Sequence, residues 1–137
     1  PQAAPDYPAA YPEVIAVTAT DADDRLLKVA NHGAYVSVAA PGVDIFVAAP
    51  DRLYGFTTGT SVATAHVSGL AALLIDRNPD LSPAAVQAIL TQTAKHLSSG
   101  SRQEGQANDA GYGAGVVDAY EALLALAPAT AESTLGH

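Results

Sequence analysis

Gly59-Thr60-Ser61-Val62-Ala63-Thr64-Ala65-His66-Val67-Ser68-Gly69-Leu70-Ala71-Ala72-Leu73-Leu74 is the stretch on which the reading of this chain turns. From residue 61 to residue 75 the side chains are small or apolar nearly all round, with no proline and one glycine. That pattern predicts a helix buried on every side rather than along one stripe. Ser61 then stands at the mouth of a core helix, where a serine has two uses. As an N-cap, its hydroxyl accepts a hydrogen bond from a first-turn N–H. As a nucleophile, it lies where free N–H groups and the helix dipole stabilise a developing oxyanion. His66 is not its base: five residues at about 100° each put the two side chains roughly 140° apart around the helix.

Working outward, the chain upstream carries Tyr11-Pro12-Glu13-Val14-Ile15-Ala16-Val17-Thr18-Ala19-Thr20-Asp21, then Asn31-His32-Gly33, then Val38-Ala39-Ala40-Pro41-Gly42. Downstream lies Gly113-Ala114-Gly115-Val116-Val117-Asp118-Ala119. These words, in this order around Gly59-Thr60-Ser61, resemble the subtilisin-like serine proteases, whose nucleophile segment reads Gly-Thr-Ser-Met-Ala-x-Pro-His-Val-Ala-Gly. Val62 stands for the methionine, Ala65 for the proline and Ser68 for the alanine; none of these touches the serine. The resemblance runs from about residue 7 to residue 126. It implies Ser61 as nucleophile, its backbone N–H as one oxyanion donor, and Gly59 and Thr60 as the turn that presents it. It assigns His66 a structural, packed role. It also implies a cis peptide bond at Tyr7-Pro8, within a loop carrying prolines at 5, 8 and 12.

Elementary patterning gives the same architecture piecemeal. Val14-Ile15-Ala16-Val17 is continuously apolar, as in a parallel strand covered on both faces. Residues 34–40 and 43–47 alternate and read as two further strands split by the Pro41-Gly42 turn. A short strand over residues 53–58 leads to Ser61. Asp76-Arg77-Asn78-Pro79 stops the long helix. Ser82-Pro83 opens an amphipathic one with Val86, Ile89, Leu90 and Thr93 on one face. A last helix carries Val116, Tyr120, Leu123, Leu124 and Ala127 as its apolar face and stops at Pro128. Residues 98–108 are rich in Ser, Gly, Gln and charge and read as a surface loop. The expected fold class is therefore α/β, strands first, then the long helix and two more, and the resemblance implies that it is the parallel-sheet, subtilisin-like fold's C-terminal half. Residues 1–127 form that portion and residues 128–137 a tail.

Composition narrows the partners. A net charge of −8 with six scattered basic residues leaves no basic stripe for nucleic acid or anionic membrane. No apolar run is long enough to span a membrane. With no cysteine there is no disulfide scaffold, thiol nucleophile or cysteine metal site. Asp21-Ala22-Asp23-Asp24 lacks the ligand alternation and glycine of a cation loop and reads as a turn. Gly111-Tyr112-Gly113-Ala114-Gly115 has GxGxG spacing and no preceding apolar strand, so it reads as a turn rather than a phosphate loop.

The family's catalytic aspartate, histidine and oxyanion-hole asparagine belong to segments preceding the first of these words. The expectation is a serine endopeptidase, acting through an acyl-enzyme on Ser61, present as a portion that is inactive alone and whose partners are a peptide substrate and the missing N-terminal half. No organic cofactor is implied. Calcium is possible in the intact family fold, but here Ser37 stands where a cation site near Tyr11 would need a carboxylate. The resemblance also implies secretion or a cell-envelope location. It further implies that residues 14–19 expose an edge through which copies could self-associate. Two rival classes are a non-catalytic binding or scaffold module, and an α/β-hydrolase esterase using Asp109 and His137.

Overall fold

The computed structural model describes residues 4–97 and 111–126. Four strands come first: β1 (Val17–Thr20), β2 (Val38–Pro41), β3 (Ile45–Ala49) and β4 (Leu53–Thr57). Three helices follow: α1 (Thr60–Arg77), α2 (Pro83–Gln92) and α3 (Ala119–Leu124). β1 and β2 pair in parallel, Val17 opposite Val38 through Thr20 opposite Pro41. β3 and β4 form a separate antiparallel hairpin whose last residues feed α1.

Alternation along β2 divides the interior. Val38 and Ala40 face α1 and join Ala19, Ala63, Val67, Leu70, Leu74, Val86, Leu90 and Ala122 in the main core. Ala39 points the other way and packs with Tyr112 and Val116. The sheet is thus covered on both faces at β2, as its near-continuous apolar run requires. The far side of β2 is stitched to the closing glycine segment: Ala39 N donates to Gly115 O at 2.8 Å and Val117 N to Ala39 O at 2.9 Å. Val116 also exchanges bonds with Lys95 just past α2. Gly115 is held at φ 134°, and a Cβ there would lie 2.4 Å from Lys95 O, so only glycine lets the two backbones meet.

Several sequence expectations shift. The first strand runs over Val17–Thr20 rather than residues 14–17. Thr18 and Thr20 are buried, and their hydroxyls hid the strand from a search for apolar runs although β-branched threonine suits one. β2 begins at Val38, because Val36 N is already turned back onto Gly33 O. β3 starts at Ile45, after Asp44 takes a left-handed φ of 53°. α1 ends at Arg77 and α2 is capped by Ser82, whose hydroxyl accepts from Ala85 N, both as the sequence implied.

α1 corrects the expectation of all-round burial. Only Ala63, Val67, Leu70 and Leu74 are buried, facing β1, β2, α2 and α3; Leu73 and Ile75 are about half exposed. No element among the described residues covers the outward face. Its small polar side chains bond to their own helix, Thr64 Oγ1 to Thr60 O at 2.8 Å and Ser68 Oγ to Thr64 O at 2.9 Å. α3 corrects a second expectation: Tyr120 and Leu124 are exposed, and Ala122 and Leu123 face the core. Asp118 sets that rotation by accepting from the Tyr120 and Glu121 N–H groups, and the small Ala122 lets α3 approach α1. The expected surface loop over residues 98–108, Ala127 and the tail lie outside the described residues.

Leu74 is fully buried. Leu74→Ala is expected to cost about 2–5 kcal/mol in urea unfolding, against under about 1 kcal/mol for Leu73→Ala on the uncovered face.

Candidate active site

The turn entering α1 is built from backbone. Gly59 is the N-cap, in extended conformation and with no side-chain cap, so Ser61 is the second residue of the helix. That geometry removes the N-cap reading of Ser61. Ala63 N makes the first regular helical bond, to Gly59 O at 3.4 Å; of the four donors before it, Val62 N reaches Gly59 O at 3.1 Å and Gly59 N reaches Gly42 O at 2.8 Å. The N–H groups of Thr60 and Ser61 have no acceptor among the described residues. Ser61 is itself exposed. Two free donors at a helix N-terminus beside an accessible hydroxyl can hold a negative charge developing on a carbonyl oxygen there.

What fixes this turn is Gly42. Its N–H donates to Thr20 O at the end of β1, and its C=O accepts from Gly59 N at 2.8 Å. A Cβ on Gly42 would lie 2.7 Å from both Gly59 O and Ala19 Cβ. The sheet end and the helix start therefore meet at a residue with no side chain. The sequence marked Pro41-Gly42 as a turn and missed this role; the signal available was a glycine directly after an apolar strand.

No described histidine reaches Ser61. His66 hydrogen-bonds the Val62 carbonyl through Nδ1 at 3.2 Å and is exposed rather than packed, since it lies on the face of α1 that no described residue covers. His32 and His96 are exposed and make no hydrogen bond with it. Asp109 and His137, the pair an esterase reading would need, lie outside the described residues. The Asp21 turn is self-contained: Asp21 Oδ1 accepts from the Asp23 and Arg25 N–H groups, both at 2.9 Å. Among the described residues no cluster of three metal-ligating side chains occurs. Ser37, at the place where a carboxylate would serve calcium, instead accepts from Ala16 N at 3.2 Å. Tyr7-Pro8 is cis, as expected.

Beside the turn lies a cavity of about 350 Å³, bordered by Thr58, Gly59 and Thr60 on one side and by residues of the 27–36 segment on the other. Sequence reading gave no hint of it, because its walls come from segments far apart in the chain.

Comparison with known proteins identifies the family and the fold. The sequence model of the subtilase family, peptidase S8, matches residues 1–115. Subtilisin DY of Bacillus licheniformis is 41% identical over 91 residues, 66% of this chain and 33% of that protein. A thermophilic serine proteinase of Bacillus sp. (strain AK1) is 52% identical over 67 residues, 49% of this chain and 17% of that protein. Among solved structures, the prenylagaramide maturation protease PagA superposes with a TM-score of 0.75 at 28% identity, covering 89% of this chain and 46% of that one. The chain spans about a third of the length of relatives such as subtilisin DY.

Gly42→Ala is expected to cost about 1–3 kcal/mol by urea unfolding, through overpacking against Gly59 and Ala63. The displacement should appear as amide shifts at Gly59 and Ser61 in an NMR spectrum of the variant.

Proposed function

The chain belongs to the subtilase family, and we propose that it is the C-terminal, serine-bearing portion of a serine endopeptidase catalytic domain. The observation that carries this reading is the exposed Ser61 hydroxyl, set in the family's Gly-Thr-Ser turn beside two helix N–H donors with no acceptor among the described residues. Ser61 attacks the peptide carbonyl, and its own N–H receives the oxyanion. Gly59 and Thr60 shape the turn. The tetrahedral intermediate collapses by C–N cleavage, the leaving amine taking the proton that the base removed from Ser61, and water then hydrolyses the acyl-enzyme to the acid and free serine. A serine hydroxyl needs an adjacent base, oriented in turn by a carboxylate, and no described residue offers Ser61 either. The aspartate, histidine and oxyanion asparagine come on this reading from a further portion of the domain. Losing such a base costs about six orders of magnitude in kcat, so these 137 residues are inactive by themselves. Homology to bacterial subtilisins favours a secreted or cell-envelope enzyme, and no described helix is long and apolar enough to cross a membrane.

The sheet supports the same reading. Val38 N and Gly42 N bond to Ala16 O and Thr20 O, so the even-numbered residues of β1 point at β2 and the odd-numbered ones point away. On that outer edge Ala19 O is taken by Leu27 N, while the N–H and C=O of Val17 have no partner among the described residues. A strand from the complementary portion would complete this edge; without it, two copies can pair there.

Fluorophosphonate should label Ser61 of this chain no faster than an ordinary exposed serine. Adding an upstream subtilisin segment that carries the aspartate, histidine and asparagine should accelerate labelling and abolish it in Ser61→Ala. No acceleration by a segment that demonstrably binds would favour a non-catalytic module. Amide exchange gives a second check: Val17 should exchange fast in the monomer and become protected on pairing, with the change in mass read by light scattering.

A further inference from the structure

The hairpin that delivers the chain to α1 changes register just before it arrives. Along β3 and β4 Ile45 stands opposite Thr57, and continuing that pairing would set Gly59 opposite Val43. Gly59 N instead bonds Gly42 O, one residue further on. Val43 and Asp44 together therefore oppose the single residue Thr58, which makes a β-bulge. Asp44 takes up the extra residue in the left-handed region, at φ 53°, a conformation that aspartate tolerates better than most side chains do. Its N–H is turned onto a side chain: Thr58 Oγ1 accepts it at 2.9 Å. The same hydroxyl lies 3.4 Å from Asp44 Oδ1, which can take its proton.

The competing arrangement is pairing without the bulge. It would move the entry of α1 by one residue, about 3.3 Å along the strand, and turn alternate side chains to the other face. Valine has threonine's shape and strand preference but offers the Asp44 N–H no acceptor, so the hydroxyl is the group that favours the bulged register. We propose that Thr58 is a positioning residue for Ser61: its hydroxyl locks the bulge at Asp44, and the bulge sets where the N–H groups of Thr60 and Ser61 point. Gly42 anchors the turn from the sheet side, and Thr58 selects which residue Gly59 meets. This deepens the peptidase reading and rests on it, because those N–H groups bear on catalysis only where an oxyanion forms beside them. A displacement of about 1 Å at such a site can cost about 100-fold in rate. Thr58 and Asp44 are both exposed, so altering them leaves the core untouched.

The test compares Thr58→Val, which keeps the shape and removes the acceptor, with Thr58→Ser, which keeps the acceptor. In isotope-labelled chain Thr58→Val should speed exchange of the Asp44 amide about tenfold and move the amides of Gly59, Thr60 and Ser61, while those of α2 stay in place. Thr58→Ser should match the unaltered chain. In enzyme reconstituted with the upstream segment, Thr58→Val should lower kcat about tenfold per labelled Ser61 with KM unchanged, and Thr58→Ser should restore it. An unmoved Ser61 amide or unchanged Asp44 exchange in Thr58→Val, the same losses in Thr58→Ser, shifts spread equally through α2, or an unchanged kcat would each overturn the proposal. Where Thr58→Val does not fold, the unaltered chain decides: a protected Asp44 amide supports the lock, and one that exchanges like a free chain removes it. Absence of accelerated labelling in the unaltered reconstituted pair would sink the peptidase reading alone, with the amides still deciding whether Thr58 holds the turn.

Discussion

The arrangement depends on one close approach, the backbone of Gly42 against Gly59. Gly42 bonds forward to Gly59 N and back to Thr20 O, so one residue joins the end of β1, the exit of β2 and the first turn of α1. Everything the site offers follows from that junction. Among the described residues the N–H groups of Thr60 and Ser61 have no acceptor, because the chain enters α1 through an extended glycine that contributes no capping side chain. Ser61 faces outward because Ala63, two residues on, is drawn into the core against the sheet.

The second constraint is the closing glycine segment. Residues 114–117 fill the far side of β2 and also bond the chain after α2, so main-chain bonds add to the buried Val86 and Leu90 in holding the C-terminal segments to the sheet. This suits a core built largely from alanine, valine and leucine, in which close backbone approach replaces bulk. Among the described residues the surface ion pairs, Arg25 with Asp23 and Lys95 with Asp24, are exposed or partly so and contribute little by comparison.

Open surfaces complete the picture. The outer edge of β1 and the outward face of α1 carry groups that a larger assembly would cover. The β3–β4 hairpin stands apart from the helices, with Phe46 stacked on Tyr54 at 5.4 Å and tilted against Phe56 at 5.3 Å, all three exposed. These rings shield one another only in part.

The sequence by itself determined the family, the order of strands and helices, the end of α1, the opening of α2, and the placing of Ser61 at a helix entrance. Those features are local: caps, stop signals, apolar runs and short motifs whose spacing survives in one dimension. Tertiary structure decided the rest. Small residues read the same whether they are packed or bonded to their own helix, so only the surroundings of α1 could show that one of its faces is open. The rotation of α3 was set by Asp118 and the close fit of Ala122, not by where the larger apolar residues fell. Asp6, Asn31, Tyr35 and Thr58 are scattered over more than fifty residues of chain, and only the fold brings them around one cavity, because convergence in space leaves no periodicity to read.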